Sequence, residues 1–138
     1  MREFVAFVVE GKPVGKGRPR WSGRHMYTPA ATQLYEAAVA RACKKSMGGL
    51  KPKAGAVKVL IEVCKKVPSH VNKATREAML QGKIRPTTKP DLDNVVKAVL
   101  DACNGIAYED DSQVVSITAR AFYEETACVA VSMTEARQ

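Results

Sequence analysis

No Cys-x-x-Cys pair occurs among the four cysteines, Cys43, Cys64, Cys103 and Cys128, so a zinc ribbon is not expected. Each cysteine falls in a separate predicted element and reads as a buried free thiol in a reducing compartment. No apolar run reaches membrane length, and the run over residues 4–9 is only strand-sized. A signal-peptide pattern is missing too, which makes a cytoplasmic protein with no membrane partner the expectation. Neither an internal repeat nor a low-complexity segment is found. Acids are in the minority, 14 against 22 Lys plus Arg.

That imbalance leaves a net charge of +8 on 138 residues. It points to a polyanionic partner, nucleic acid ahead of an anionic membrane, with mere solubility as the plain alternative. The length suits one domain over residues 1–138, large enough to hide roughly two-thirds of its surface. The apolar share of 46% is ordinary for a globular chain.

Residues 3–10 are β-rich and apolar on both faces, the pattern of a buried central strand. Residues 11–29 read as a long loop carrying Lys12, Lys16, Arg18, Arg20, Arg24 and His25 among glycines, prolines, Trp21 and Tyr27. Glycines let backbone approach phosphates, Lys and Arg contact them, and Trp21 offers a face for an unpaired base. The plain alternative is a solvated loop whose tryptophan covers the edge of the core. Thr28 and Pro29 open a helix running to about Lys45, with Ala31, Leu34, Tyr35, Ala38 and Ala42 as its inner stripe. A strand follows over 57–63. A short helix over 72–81 has Ala74, Ala78 and Met79 as its buried candidates. Residues 82–90 form a second basic loop with Lys83, Arg85 and Lys89. Strands over 113–123 and 127–133 are joined by a turn at 124–126. The order β-α-β-α-α-β-β predicts an α+β (mixed α/β) domain, one mixed sheet with helices packed on it.

The most informative stretch lies between the second loop and those last strands. Leu92, Val95, Val96, Val99, Leu100 and Cys103 fall on one helical face, Pro90 marks the entry, and Asn104-Gly105 supplies the stop. Asp91 takes the N-cap position, with Asp93 in the first turn and Lys97 one turn further on. Alone, these would be a cap and a surface ion pair. Two features argue for more. Glu109-Asp110-Asp111 follows just after the helix, so further carboxylate can fold back to Asp91 and Asp93. Crowding acids in a basic chain also needs a reason, and a divalent cation would supply it.

Lys89-Pro-Asp-Leu-Asp-Asn-x-x-Lys-Ala, then Leu-Asp-Ala, then Asn-Gly-x-x-Tyr-x-Asp-Asp-Ser-Gln-Val-Val resembles the RusA family of Holliday junction resolvases, over residues 89–115. The likeness extends more loosely over nearly the whole chain. It takes in the first strand, the basic Gly/Pro loop and the helix opening near residues 27–29, although some members carry an Asn-rich, less cationic segment in that loop. The resemblance implies a small homodimeric endonuclease, found in phages and prophages among other places, that cuts four-way DNA junctions with Mg²⁺, Mn²⁺ being able to replace it. It implies Asp91, Asp93 and Asp111 as catalytic, metal-binding acids, Asp110 as a further ligand, and Lys97 as the catalytic lysine. Lys12, Lys16, Arg18, Arg20, Arg24, Lys83, Arg85 and Lys89 are the expected DNA contacts, read from the charge of the two loops.

Hydrolysing a phosphodiester requires an activated water, neutralisation of developing charge and help for the leaving oxygen, all within reach of carboxylate-held Mg²⁺. A lysine such as Lys97 would steady the same charge. Two other readings compete. An aspartate-based phosphatase would present its Asp-x-Asp from an apolar strand end, whereas Arg85-Pro-Thr-Thr-Lys-Pro precedes this one. A non-catalytic protein for branched or duplex DNA would keep the acids as structural groups. A four-way junction has approximate two-fold symmetry and needs two cuts, which a C₂ dimer would match.

Overall fold

A computed structural model describes residues 2–136. The chain runs β1 (Glu3–Glu10), β2 (Arg20–Ser22), β3 (His25–Tyr27), α1 (Ala30–Met47), β4 (Val57–Lys66), α2 (Lys73–Leu80), α3 (Leu92–Cys103), a 3₁₀ turn (Asp111–Gln113), β5 (Val114–Glu124) and β6 (Cys128–Glu135). This is the α+β arrangement predicted, with one addition, the β2–β3 hairpin.

The main sheet has the order β1-β6-β4-β5. β4 pairs in parallel with β5 and antiparallel with β6, and β6 pairs antiparallel with β1. A parallel pair cannot be closed by a tight turn, and the chain makes the crossover through α2 and α3. Val57, Val59, Ile61 and Val63 of β4 and Val129, Val131 and Met133 of β6 point to one face of the sheet and are buried. Val39, Cys43 and Met47 of α1 and Val95, Ala98 and Val99 of α3 pack with them in one core. Burying a valine completely contributes about 1.5–3 kcal/mol, so this layer carries most of the fold's stability.

β1 is an edge strand, not the central strand its composition suggested. Val5 and Val9 are buried while Val8 is 57% exposed. Its apolar residues overstate its burial because α1 packs on one face of this strand and leaves Val8 on the other exposed. The Ser46 hydroxyl of α1 accepts from the Ala6 N–H and donates to the Ala6 carbonyl, both at 2.9 Å, which blunts the open edge.

Helix α1 is also rotated from the expected stripe. Thr32, Tyr35, Val39, Cys43 and Met47 face inward, whereas Leu34 is 74% exposed. So many alanines occupy this helix that two adjacent faces look equally apolar. In α2 Met79 is buried as expected, Ala78 is half-buried and Ala74 is exposed. The Asn72 side chain caps this helix through the Thr75 N–H at 2.8 Å.

Cys43, Cys64 and Cys103 are buried, Cys128 is half-buried, and all four are free thiols. Burial pushes the Cys64 thiol up to about 12. The Cys103 thiol is raised by its hydrogen bond with Cys43 and by burial. Both are held as unreactive thiols. Among the described residues no helix is long and apolar enough to cross a membrane.

Candidate active site

The site begins with the loop leading into α3. Arg85 anchors that loop to the sheet edge: its Nε donates to the Ala121 carbonyl at 2.8 Å, and its guanidinium lies 4.5 Å from the centre of the Phe122 ring. Lys65, at the end of β4, donates from Nζ to the carbonyls of Thr88 and Pro90, the latter at 3.0 Å. Burial depresses the Lys65 pKa, with the charge of Asp91 working the other way. These contacts fix the backbone on which Asp91 is mounted.

Asp91 starts α3 with its main chain, whose carbonyl accepts from the Asn94 and Val95 N–H groups at 3.1 Å. Its side chain makes no cap hydrogen bond. Instead both carboxylate oxygens hold the Lys89 ammonium, Oδ1 at 2.8 Å and Oδ2 at 2.9 Å. The capping role that would explain an ordinary aspartate here is therefore not in use, and the carboxylate already grips a cation. Asp93 sits in the first turn, exposed, where the helix dipole favours negative charge. Lys97 is exposed one turn on, and among the described residues it forms no ion pair with Asp93.

The first basic loop crosses this helix end. Lys16 N–H donates to the Asn94 carbonyl at 2.8 Å, and Gly17 N–H donates to Thr32 Oγ1 at 3.0 Å. A Cβ on Gly15 would come within 3.0 Å of Asn94 Cβ and 3.1 Å of Pro90 Cβ, so a side chain at residue 15 would press the loop away from the site by a few tenths of an ångström. The Lys16 ammonium turns inward, 2.7 Å from Glu36 and 3.1 Å from Asp101. It was expected on DNA, and the fold engages it with two carboxylates. Beyond it stands the β2–β3 hairpin. Gly23 at φ +60°, followed by Arg24 at negative φ, suits a type II′ turn. Arg18, Arg20 and Arg24 are exposed, and so is Trp21 at 65%.

The remaining acids lie at the other end of α3. Gly105, at φ +80°, reverses the chain, and Tyr108 is fully buried with its hydroxyl donating to the Leu100 carbonyl at 2.7 Å. Burial is the main cause that raises the Tyr108 pKa. Gln113 then locks the acidic turn. Its Oε1 accepts from the N–H groups of Glu109 and Asp110 at 2.9 and 3.0 Å, and its Nε2 donates to the carbonyls of Lys53 and Gly55 at 2.7 and 2.8 Å. Asp110 accepts from the Ser112 N–H at 3.2 Å, and this hydrogen bonding holds its carboxyl below the usual range. It acts as a cap. Asp111 is exposed.

Helix α3 spans 12 residues. About 18 Å of helix thus separates the Asp91–Asp93 end from the Asp111 end. Within one copy of the chain, Asp110 and Asp111 do not fold back onto Asp91 and Asp93, contrary to the expectation from sequence. The cause is the rigid helix between them and the Gln113 anchor at the start of β4. Among the described residues no three acids, histidines or cysteines close on one point. Asp91 and Asp93 alone still suit Mg²⁺, which keeps several waters and needs one or two carboxylates plus a substrate phosphate.

The family model for endodeoxyribonuclease RusA matches residues 10–134. The chain belongs to the RusA family. A relative in Bacillus subtilis (strain 168), the uncharacterized protein YqaN, is 39% identical over 142 aligned positions, covering 96% of this chain and 97% of its own. The RusA match takes in both ends of α3 and both basic loops, so the separated acids all lie within the matched region. Lys65, Tyr108 and Gln113 shape the candidate site although sequence reasoning gave them no role. Tyr108 and Gln113 stand inside the motif that carried the resemblance. Lys65 had only a faint signal, a lysine pair closing an otherwise apolar strand.

Proposed function

We propose that this protein is a metal-dependent endodeoxyribonuclease that resolves four-way DNA junctions by paired phosphodiester cleavage, working as a homodimer. The observation that carries the reading is the Asp91 carboxylate. It sits at a helix N-terminus, is not used as a cap, and grips the Lys89 ammonium with both oxygens. Asp91 and Asp93 would hold the metal, Mg²⁺ with Mn²⁺ as a replacement, which supplies an activated water and neutralises charge on the phosphate. Lys97, exposed one turn from Asp93, would steady the charge that develops on the attacked phosphate. The amide dipoles at the start of α3 favour a phosphate at the same place. Arg18, Arg20, Arg24, Lys83 and Lys12 would hold the strands beside it.

Asp111 enters this site from the second copy. It stands exposed at the start of edge strand β5, next to Val115 and Ile117, which are 63% and 48% exposed. An apolar edge beside an unused carboxylate is a surface suited to a second chain. Each site would then combine Asp91 and Asp93 of one chain with Asp111 of the partner subunit. Asp110, occupied as a cap, is left out of the ligand set.

A synthetic four-way junction incubated with the protein and Mg²⁺ tests the reading. Paired cuts near the crossover are expected, absent in EDTA and absent with plain duplex. Asp91→Asn and Asp93→Asn should each lower cutting by orders of magnitude while junction binding in EDTA persists. Binding without cutting by the wild-type protein in Mg²⁺ or Mn²⁺ would leave a non-catalytic DNA-binding protein instead.

A further inference from the structure

A cavity adjoins the acid site and shares Lys12 and Lys89 with it. It measures about 520 Å³ and opens beside the C-terminal ends of the parallel strands β4 and β5, where open α/β sheets commonly take ligands. Lys12, Lys65, Lys66 and Lys89 line it, and no carboxylate does. Of these four, only Lys89 has an acidic partner among the described ion pairs. Apart from Thr88 the rest of the wall is prolines, Ala127 and a tyrosine ring, with Tyr123 half-buried and Pro13 buried. Lys65 is taken up by the Thr88 and Pro90 carbonyls and Lys89 by Asp91, so Lys12 and Lys66 are the two ammonium groups without a partner among the described hydrogen bonds and ion pairs, and an anion would neutralise them, while a ring beside prolines offers a stacking surface. Phosphate on the lysines and a planar base against Tyr123 would satisfy both halves of the lining. The mouth is shared with Asp91 through Lys89 and Pro90, so an occupant would be continuous with a strand lying on the acid site.

We propose that this cavity takes one unpaired nucleotide of the DNA, next to the phosphate that is cut, with its phosphate on Lys12 and Lys66 and its base against Tyr123. A duplex is too wide to enter, so the nucleotide must leave its stack, which costs least at a branch point, where pairing is already interrupted. The cavity thereby favours junctions over uninterrupted duplex. The inference rests on the DNA-junction part of the proposed function and is independent of cleavage.

Site-specific photocrosslinking tests it without metal. Four-way junctions carrying 5-iodouracil at each position flanking the crossover are bound in EDTA, irradiated, and the adducts mapped by mass spectrometry. The expected result is an adduct on Tyr123 from at least one position. That adduct should disappear in Tyr123→Leu and fall roughly tenfold, the scale of losing phosphate contacts, in Lys12→Gln/Lys66→Gln. Both lysines are exposed, so the double variant keeps the fold intact if Tyr123→Leu does not. Adducts confined to Trp21 or other surface residues, or a Tyr123 adduct undiminished in the double lysine variant, would overturn the proposal. Cleavage failing while the Tyr123 adduct forms would instead count against the nuclease reading and uphold the cavity.

Discussion

Lys97 and Lys16 both lie near the start of α3, and their surroundings give them opposite duties. Lys97 is exposed and forms no ion pair with Asp93. Lys97→Ala should therefore leave the melting temperature unchanged and slow single-turnover junction cleavage by about 10²-fold, the scale for losing one stabilising donor. A normal rate would return Lys97 to the solvent. Lys16 is drawn inward. Burial lowers its pKa, but hydrogen bonds and charge from Glu36 and Asp101 outweigh this, and the net value is raised above 10.5. A raised lysine contributes stability in full below its unfolded pKa and loses it as pH climbs through the folded value. Lys16→Met should cost roughly 2 kcal/mol at neutral pH, since two carboxylates lose their shared donor. The difference from wild type, followed by denaturant melts, should hold to pH 9 and shrink above 10.5. A gap that stays constant through pH 11 would mean the ion triad contributes nothing.

At the scale of elements, the β2–β3 hairpin carries exposed cations and is the part of the molecule proposed to meet the DNA. Arg18 and Arg20 are exposed at its base, whereas Lys16 is held by the fold. Replacing Arg18 and Arg20 together by Ala should flatten the salt dependence of junction binding by about two units of slope, near −0.9 per phosphate contact. Adding Lys16→Ala should flatten it no further, which anisotropy titrations over a salt series would check. The helices and strands of this protein were legible from sequence because their signals are local: Asn72 caps α2, Asn104-Gly105 ends α3, and Val57 to Val63 alternate. The hairpin was missed because three-residue strands leave too short a pattern against prolines and glycines. Which face of α1 is buried was misread because alanine fits either face. The acids were legible as residues but not as a site. Their separation depends on α3 being straight and on Gln113 reaching the carbonyls of Lys53 and Gly55, long-range facts that a run of letters does not carry.

At the scale of the whole molecule, Asp91 and Asp93 lie at one end of α3 and Asp111 beyond the other, and the proposed site needs a second chain to join them. Two-fold pairing would place each Asp111 turn on the partner's Asp91–Asp93 end and give two sites with the symmetry of a four-way junction. The decisive measurement is cleavage of a four-way junction in Mg²⁺ by an equimolar mixture of Asp91→Asn and Asp111→Asn chains, each inactive alone. In the mixed dimer one site carries both substitutions and the other carries neither. Mixing should restore nicking at a rate within a few-fold of one wild-type site, without full resolution. A mixture as inactive as its components, from chains shown by light scattering to exchange into mixed dimers, would contradict the proposed site.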